Sequence, residues 1–512
     1  MSFIQAHLLS LILYLPALSA LLVLMLPREN ESTLRWVSLL ASLIPLGLAI
    51  GLWFGYNPTQ PGFQFVEEAP WYSTINANYH LGADGITAVL VLLTTLLVPL
   101  AIVVSWNEER NLRTHLALFL LLETGMLGVF MSLDLLLFFI FWEVGLVPIY
   151  FLIDQWGGEN RQRAAFKFLI YTMGGSLGLL LAIQLIGVVS GTFDIVTISQ
   201  NWSALTEPLS LFGLPITVPI ATVKSIAFWA FVIAFAIKIP IWPFHTWLPD
   251  AYTEAPTGGS MLLAGVMAKL GAYGFLRLVL PLYPEQAQQY AWILALLATL
   301  SILFGALSAW GQADLKRLVA YSSVNHMGWV VLGIAAAAYA RGTLSAPDAV
   351  WAMNGAVLQM FNHGVSTAGM FLLVGVIYQR TKTRKLEELG GLFPLMPIYG
   401  GLFIFTAMAW VGLPGLNGFV SEFLVVRGVW PIFTLFTAVS MIGLLITGAY
   451  VLKGIRGVLH GPVNQAWTGK SLEIGRREVL AMSPLLGLML AVGVWPSWIL
   501  NVINQTVLRL LG

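Results

Sequence analysis

Seven ionisable side chains stand where a chain of this composition has little reason to keep them. They are Glu123 in "LFLLLETGML", Glu143 in "FFIFWEVGLVP", Lys238 in "FAIKIPIWPFHTWLP", Lys269 in "LLAGVMAKLGAYG", His326 in "YSSVNHMGW", His363 in "MFNHGVS" and Glu422 in "GLPGLNGFVSEF". Each lies near the middle of a separate apolar stretch or beside a Gly/Pro break. A charge at the centre of a membrane helix costs about 2.5–3.5 kcal/mol on insertion scales, so such groups are kept for a pathway or for a satisfied ion pair. Acids, lysines and histidines in series suit proton transfer. Burial disfavours the charged form of an amine, and a nearby carboxylate restores it. One such pair at about 4 Å and an effective dielectric near 20 is worth about 4 kcal/mol. The load on one charge is about 2.3 kcal/mol per 100 mV of membrane potential. Moving one glutamate toward or away from Lys238 therefore has enough leverage to switch the lysine between holding and releasing a proton. A neutral histidine suits a relay between such groups.

The elements that carry these residues must be membrane spans. The 512 residues are 58% hydrophobic and 10% charged, with a mean hydropathy of +0.83. A soluble core of this length cannot hide that much apolar surface, so the solvent is lipid. At about 20 apolar residues per crossing, fourteen spans are expected, centred from near residue 15 to near residue 490. Residues 4–26 read as a retained first span, not a cleaved leader. Two long connections, roughly 56–80 and 191–222, carry Gly, Pro, Asn and Thr and read as loops, and no strand-rich segment is expected. The whole chain, 1–512, reads as one all-α polytopic domain.

Eighteen of the 25 lysines and arginines fall on alternate loops starting with the first, five on the opposite loops, and Lys238 and Lys269 inside spans. The positive-inside rule then puts the first set in the cytoplasm and both termini on the other side. Net charge is +1, with no basic arm, so nucleic acid is not an expected partner. Cysteine is absent, which excludes disulfides, iron–sulfur clusters and thiolate zinc sites within the chain. No cofactor or metal site is expected. His326 and His363 fall near one depth, but a single such pair makes a weak case for haem. "YTMGGSLG" and "APTGGSML" follow no strand and lack the P-loop lysine pattern. They read as small residues for close helix contact.

Pro240 and Pro243 cannot continue a helical ladder. Carbonyls freed at mid-depth must be met by protein or water, which predicts a broken seventh span with Lys238 at the lip of a hydrated space. Gly412, Pro414, Gly415 and Gly418 predict a second break, in span 12 before Glu422. Breaks five spans apart suggest two inverted five-helix repeats, approximately 113–280 (spans 4–8) and 286–460 (spans 9–13). Asp134, at an outer span boundary, reads as a solvated end charge.

"FAIKIPIWPFHTWLPDAYTEAPTGGSMLLAGVMAKLGAYG", "DLKRLVAYSSVNHMG", "FNHG" and "LPGLNGFVSEF" together resemble the signature of the antiporter-like membrane subunits of respiratory complex I and of multisubunit sodium/proton antiporters. Within that family the glutamate of "GFVSEF" is similar to the subunit M (chain 4) branch, because sister branches L and N carry lysine there. Fourteen spans without a C-terminal lateral helix also suit M over L. The resemblance implies a proton-translocating subunit of an NADH- or ferredoxin–quinone oxidoreductase. FMN, iron–sulfur clusters and quinone would then lie in partner subunits, beside L- and N-like sister subunits in the membrane. It implies that Glu143 and Lys238 form a functional ion pair and that Lys269 is the central proton carrier. His326 would link onward, Glu422 would stand near the exit, and His363 would be a further polar position on the axis. Glu123 would be a supporting acid. For His245 and Asp250, on the second half of span 7, helix packing and proton transfer both remain open. The rival readings are a subunit of a multisubunit sodium/proton antiporter or of a membrane-bound hydrogenase.

Overall fold

The computed structural model describes residues 3–202, 204–206, 209–210 and 217–511. Among the described residues thirteen helices are long and apolar enough to cross a membrane: Leu8–Met25, Glu31–Gly55, Gly85–Val104, Leu112–Met131, Leu135–Trp156, Arg161–Ser190, Ile220–Lys238, Thr257–Leu282, Ala291–Trp310, Leu315–Ala340, Ala346–Thr381, Thr434–Leu459 and Arg476–Val494. Between the eleventh and twelfth of these, the shorter apolar helix Pro397–Val411 is followed by Asn417–Val429. Counted together as one broken crossing, these two complete the fourteen expected spans, and the numbering below follows that count.

Both anticipated breaks are present. Span 7 ends as a helix at Lys238 and resumes at Leu248–Glu254. The freed groups find partners: the Trp247 indole donates to the Ile237 carbonyl (2.9 Å), and Trp242 N–H donates to Ser301 Oγ (2.9 Å). In span 12, Gly412 and Gly415 adopt positive φ (84° and 92°), which only glycine takes without strain, and the helix is interrupted between Val411 and Asn417.

Spans 8, 10 and 11 form the centre. Their most apolar windows are 100%, 94% and 100% buried, against 33% for span 2 and 28% for span 14. These three are enclosed by the rest of the bundle, while spans 2 and 14 leave most of their apolar residues exposed. Gly125 of span 4 lies against the backbone of Gly145 in span 5, where an added Cβ would stand 2.5 Å from the Gly145 nitrogen. Gly125→Val is expected to destabilise the subunit by about 1–3 kcal/mol through overpacking, visible as its depletion from the purified complex.

The first long connection is not a loop. Gln64–Tyr72 pairs antiparallel with Ala77–Ala83 in an irregular hairpin. Pro70 and the exposed outer face of the first strand hide the alternation expected of a strand. Glu67 on this hairpin accepts from Leu9 N–H (2.7 Å) and Ser10 N–H (3.1 Å), while Arg509 donates to the Gln60 and Gly62 carbonyls (2.8 and 3.2 Å). The start of span 1 and the end of the chain thus share one face with the hairpin. Residues 203, 207–208 and 211–216 of the second connection lie outside the described residues. A helix at Ser497–Leu511, unanticipated from the sequence, follows Pro496 and packs against spans 3 and 11. Thr506 on it accepts from Gly85 N–H (3.1 Å).

Asp134 is fully buried, not solvated. It caps span 5, accepting from Leu136 N–H (2.9 Å), Leu137 N–H (3.1 Å) and Asn78 N–H (3.0 Å). Burial pushes its carboxyl above the ordinary range against the pull of these three donors. The hairpin that covers it was the missing piece.

Candidate proton pathway

Lys238 is the last residue of the first helical half of span 7, and it is 3% exposed. Its ammonium stands 4.9 Å from the ring centroid of Trp142. That indole is fixed by donation to Ser176 Oγ (3.0 Å). Among the described residues no nitrogen–oxygen contact of 4.0 Å or less joins Lys238 to Glu143. The face of an aromatic ring attracts a cation, so Trp142 holds Lys238 in the state observed. Glu143 is the neighbour of Trp142 in the chain, and its Oε1 is buried without a hydrogen-bond partner.

Lys269 sits in span 8 between two π-helical segments, Leu263–Met267 and Phe275–Val279. Such segments are frequent at functional sites. Helical side chains lean toward the start of their helix, and that of Lys269 does so far enough to donate to the Ala264 carbonyl. The same ammonium lies 2.6 Å from His363 Nδ1 of span 11. When Lys269 is protonated it can only donate, and Nδ1 then accepts with the His363 proton on Nε2. Nε2 is buried and unpartnered among the described residues.

The His363 ring is 5.6 Å, centroid to centroid, from that of His326 in span 10. His326 Nδ1 is 2.9 Å from Glu422 Oε1, and its Nε2 is 3.4 Å from the Tyr450 hydroxyl of span 13. Gln359 also donates to Glu422 Oε1 (3.2 Å). Beside them, Asn362 donates to the Asn417 carbonyl (2.7 Å) and Ser421 Oγ (2.9 Å), which ties span 11 to the second half of span 12. A cavity of about 10 Å³ lies among His326, His363, Asn362, Trp410 and Glu422. That is room for about one water. The unpartnered Nε2 of His363 and the polar wall give such a water partners.

The structure therefore brings Lys269, His363, His326 and Glu422 into one line. It leaves Lys238 and Glu143 outside that line, at the break of span 7. Glu123 is fully buried on span 4, with both carboxylate oxygens unpartnered among the described residues. His245 has a buried, unpartnered Nδ1 and faces the Tyr321 ring at 6.4 Å. Asp250 bridges Lys167 (2.7 Å) and Arg317 (3.3 Å), joining spans 6, 7 and 10 at one end of the bundle. Sequence reasoning missed Trp142, Gln359, Tyr450 and His115. His115, two turns before Glu123, is buried with both ring nitrogens unpartnered among the described residues. A lone histidine at a span end gives little signal. Tyr450, polar in an apolar helix, could have been flagged. Among the described residues no group of three or more His, Asp or Glu is placed to hold a metal ion.

Residues 132–447 match the family described as NADH:quinone oxidoreductase/Mrp antiporter, TM. The chain is 39% identical over 508 residues to NADH-quinone oxidoreductase subunit M of Rhodobacter capsulatus, covering 98% of this chain and 96% of that protein. It is 38% identical over 505 residues to NAD(P)H-quinone oxidoreductase chain 4 2 of Thermosynechococcus vestitus, covering 96% and 90%. A chain of respiratory complex I from Thermus thermophilus superposes with a TM-score of 0.82 at 29% identity, covering 98% of this chain and 100% of its own. A chain of the Mrp complex from Dietzia sp. shares the fold with a TM-score of 0.83 at 20% identity, covering 100% and 98%. The buried Lys–His–Glu line lies within the matched residues 132–447, and the chain belongs to the NADH:quinone oxidoreductase/Mrp antiporter family of membrane subunits.

Proposed function

We propose that this chain translocates protons as a membrane subunit of an NADH- or ferredoxin–quinone oxidoreductase. The observation that carries the reading is the Lys269–His363–His326–Glu422 line, buried from the three central spans into the second half of span 12. Each member can gain or lose a proton, and the neighbours are joined by contacts of 2.6 Å and 2.9 Å around one ring-to-ring gap of 5.6 Å. Lys238, Glu143 and Glu123 form the input to this line at the break of span 7, with His245 as an adjunct. Glu422 is the output. The two halves, approximately 113–280 and 286–460, act as inverted repeats, each with one broken span.

Electron transfer takes place in partner subunits that hold FMN, iron–sulfur clusters and quinone. A chain without cysteine offers no thiolate for such clusters. L- and N-like sister subunits flank it, the hydrophilic redox arm acts on it indirectly, and lipid covers the outer spans. The membrane is a bacterial cytoplasmic or a thylakoid membrane, with both termini on the non-cytoplasmic side. A role in a sodium/proton antiporter draws on the shared family and fold, the Mrp chain being 20% identical. Identities of 35–39% over nearly the full length favour the quinone oxidoreductase.

Lys238→Ala and Glu143→Ala are expected to lower proton pumping and the coupled quinone reductase rate several-fold while the complex still assembles. Pumping by the purified, reconstituted complex measures this. Normal pumping in both assembled variants would remove span 7 from the path. The Trp142 contact adds a refinement: Trp142→Leu frees Lys238 to pair permanently with Glu143 and is expected to slow pumping also.

A further inference from the structure

One buried charged cluster takes no part in the line above. Arg277 lies two turns beyond Lys269 on span 8, with Tyr273 halfway between them. All three, at i, i+4 and i+8, share one face of the helix, which on spacing alone looks like a direct route from Lys269 to the face that carries the hairpin and both chain ends. The contacts contradict a route. Tyr273 has one hydroxyl proton and donates it to the Phe130 carbonyl (2.7 Å). The Thr87 hydroxyl donates to the same carbonyl (3.1 Å). Arg277 Nε donates to the Tyr273 oxygen (3.1 Å), and Arg277 Nη2 donates to Asp84 Oδ2 (2.5 Å). Asp84 Oδ1 is itself committed to Thr87 N–H (2.9 Å) at the start of span 3.

A proton wire needs groups that accept on one side and donate on the other. Guanidinium has five donors and no acceptor, and it does not release its proton in a protein. Tyr273 spends its one hydroxyl proton on a backbone carbonyl, and the Thr87 hydroxyl, 3.1 Å from the same carbonyl and 3.2 Å from the Tyr273 oxygen, leads back to Tyr273 and not past Arg277. Arg277 is also held between rings, 4.6 Å from the Phe63 centroid and 5.2 Å from that of Tyr273. A fixed cation in a narrow passage repels protons and other cations, the device used in proton-excluding pores. On the far side of the pair lies a cavity of about 220 Å³, lined by Asp84, Arg277, Ser199, Thr506 and Arg509. Solvent space thus comes up to the pair from the outer face and stops there. Lys269 turns the other way, toward Ala264 and His363.

Building on the relay proposed above, we infer that Asp84, Arg277 and Tyr273 form a plug that closes the first half of the chain to protons at the hairpin face. A proton on Lys269 then has one outlet, sideways through His363 to the second half. Without the plug, protons driven by the membrane gradient would return from the outer cavity to Lys269 and short-circuit the pump. Arg277 and its partners are positioning residues, and none of them carries a transferred proton.

The test uses the whole complex reconstituted in liposomes and reads two quantities: the proton gradient held during NADH-driven quinone reduction, and the decay of that gradient after the reaction is stopped. Arg277→Gln is expected to keep the quinone reductase rate while the gradient decays roughly threefold faster or more, as for loss of a charge barrier in a pore. Arg277→Lys, which keeps a cation there, is expected to restore most of the tightness. A second arm is Tyr273→Phe, which keeps the ring and removes the oxygen that Arg277 Nε donates to; it is expected to leak less than Arg277→Gln but measurably, and it decides the matter if Arg277→Gln does not assemble. Unchanged decay in the assembled variants overturns the plug. So does a joint fall of pumping and quinone reduction without leak, because the cluster would then be a conduit. Normal pumping in Lys269→Ala alone would count against the relay and leave the leak measurement to decide the plug by itself.

Discussion

Lys269→Ala is expected to abolish NADH-driven proton pumping by the assembled complex, a fall of about two orders of magnitude or more, the usual effect of removing a positioned proton-transfer group. Lys269 is the only basic group of the line that both reaches span 11 and turns away from the outer face. With alanine, His363 Nδ1 loses its donor, and the Ala264 carbonyl, now without the ammonium, faces a buried gap. Tight coupling makes quinone reduction fall with pumping. The informative comparison is Lys269→Arg. Arginine preserves the charge and much of the volume but does not give up its proton in a protein. If Lys269 served only as a structural cation, Lys269→Arg would pump; as a carrier, Lys269→Arg is expected to be as inactive as Lys269→Ala. Proton uptake and release in the reconstituted complex, with subunit content checked by gel, measures both.

Glu422→Gln is expected to lower pumping by roughly tenfold to a hundredfold with little effect on assembly. Glutamine is isosteric and can still accept from His326 Nδ1 and Gln359 Nε2, so the local packing of span 12 against span 11 survives. What is lost is the ability to take up a proton. Glu422→Asp keeps the charge on a shorter arm, and the His326 contact of 2.9 Å lengthens. Partial activity is expected. Equal activity of Glu422→Gln and the native chain would remove the output end of the line. A double variant, Lys269→Ala with Glu422→Gln, is expected to be no worse than Lys269→Ala alone, since the two act in series on one proton.

Much of this was readable in the residues. The fourteen crossings follow from apolar lengths, and both broken spans follow from where Pro240, Pro243, Gly412, Pro414 and Gly415 fall. Seven mid-span ionisable groups stood out because lipid makes each of them expensive to keep. Other features had no local signature. The π-helical segments around Lys269 lie in "LAGVM" and "FLRLV", which read as ordinary helix, and only packing against spans 7 and 11 shows the extra residue. The hairpin at 64–83 was hidden by Pro70 and by an exposed outer face, and with it went the burial of Asp134. Trp142 reads as one tryptophan among 19, and its contact with Lys238 depends on how span 5 meets span 7. The helix at Ser497–Leu511 is strongly one-sided, which shows only once Pro496 is known to end span 14. Pattern along the chain thus locates charges well, while partners across helices come from the packing.

The most direct measurement is a cryo-EM map of the intact complex at a resolution that shows water. Ordered water or direct hydrogen bonds are expected to bridge Lys269, His363, His326 and Glu422 without interruption, with further water between Lys238 and Lys269, and none between Lys269 and Arg277. Lys269 and Glu422 in separate dry pockets, or a filled water chain running past Arg277 to the hairpin face, would contradict a sideways proton path through this chain.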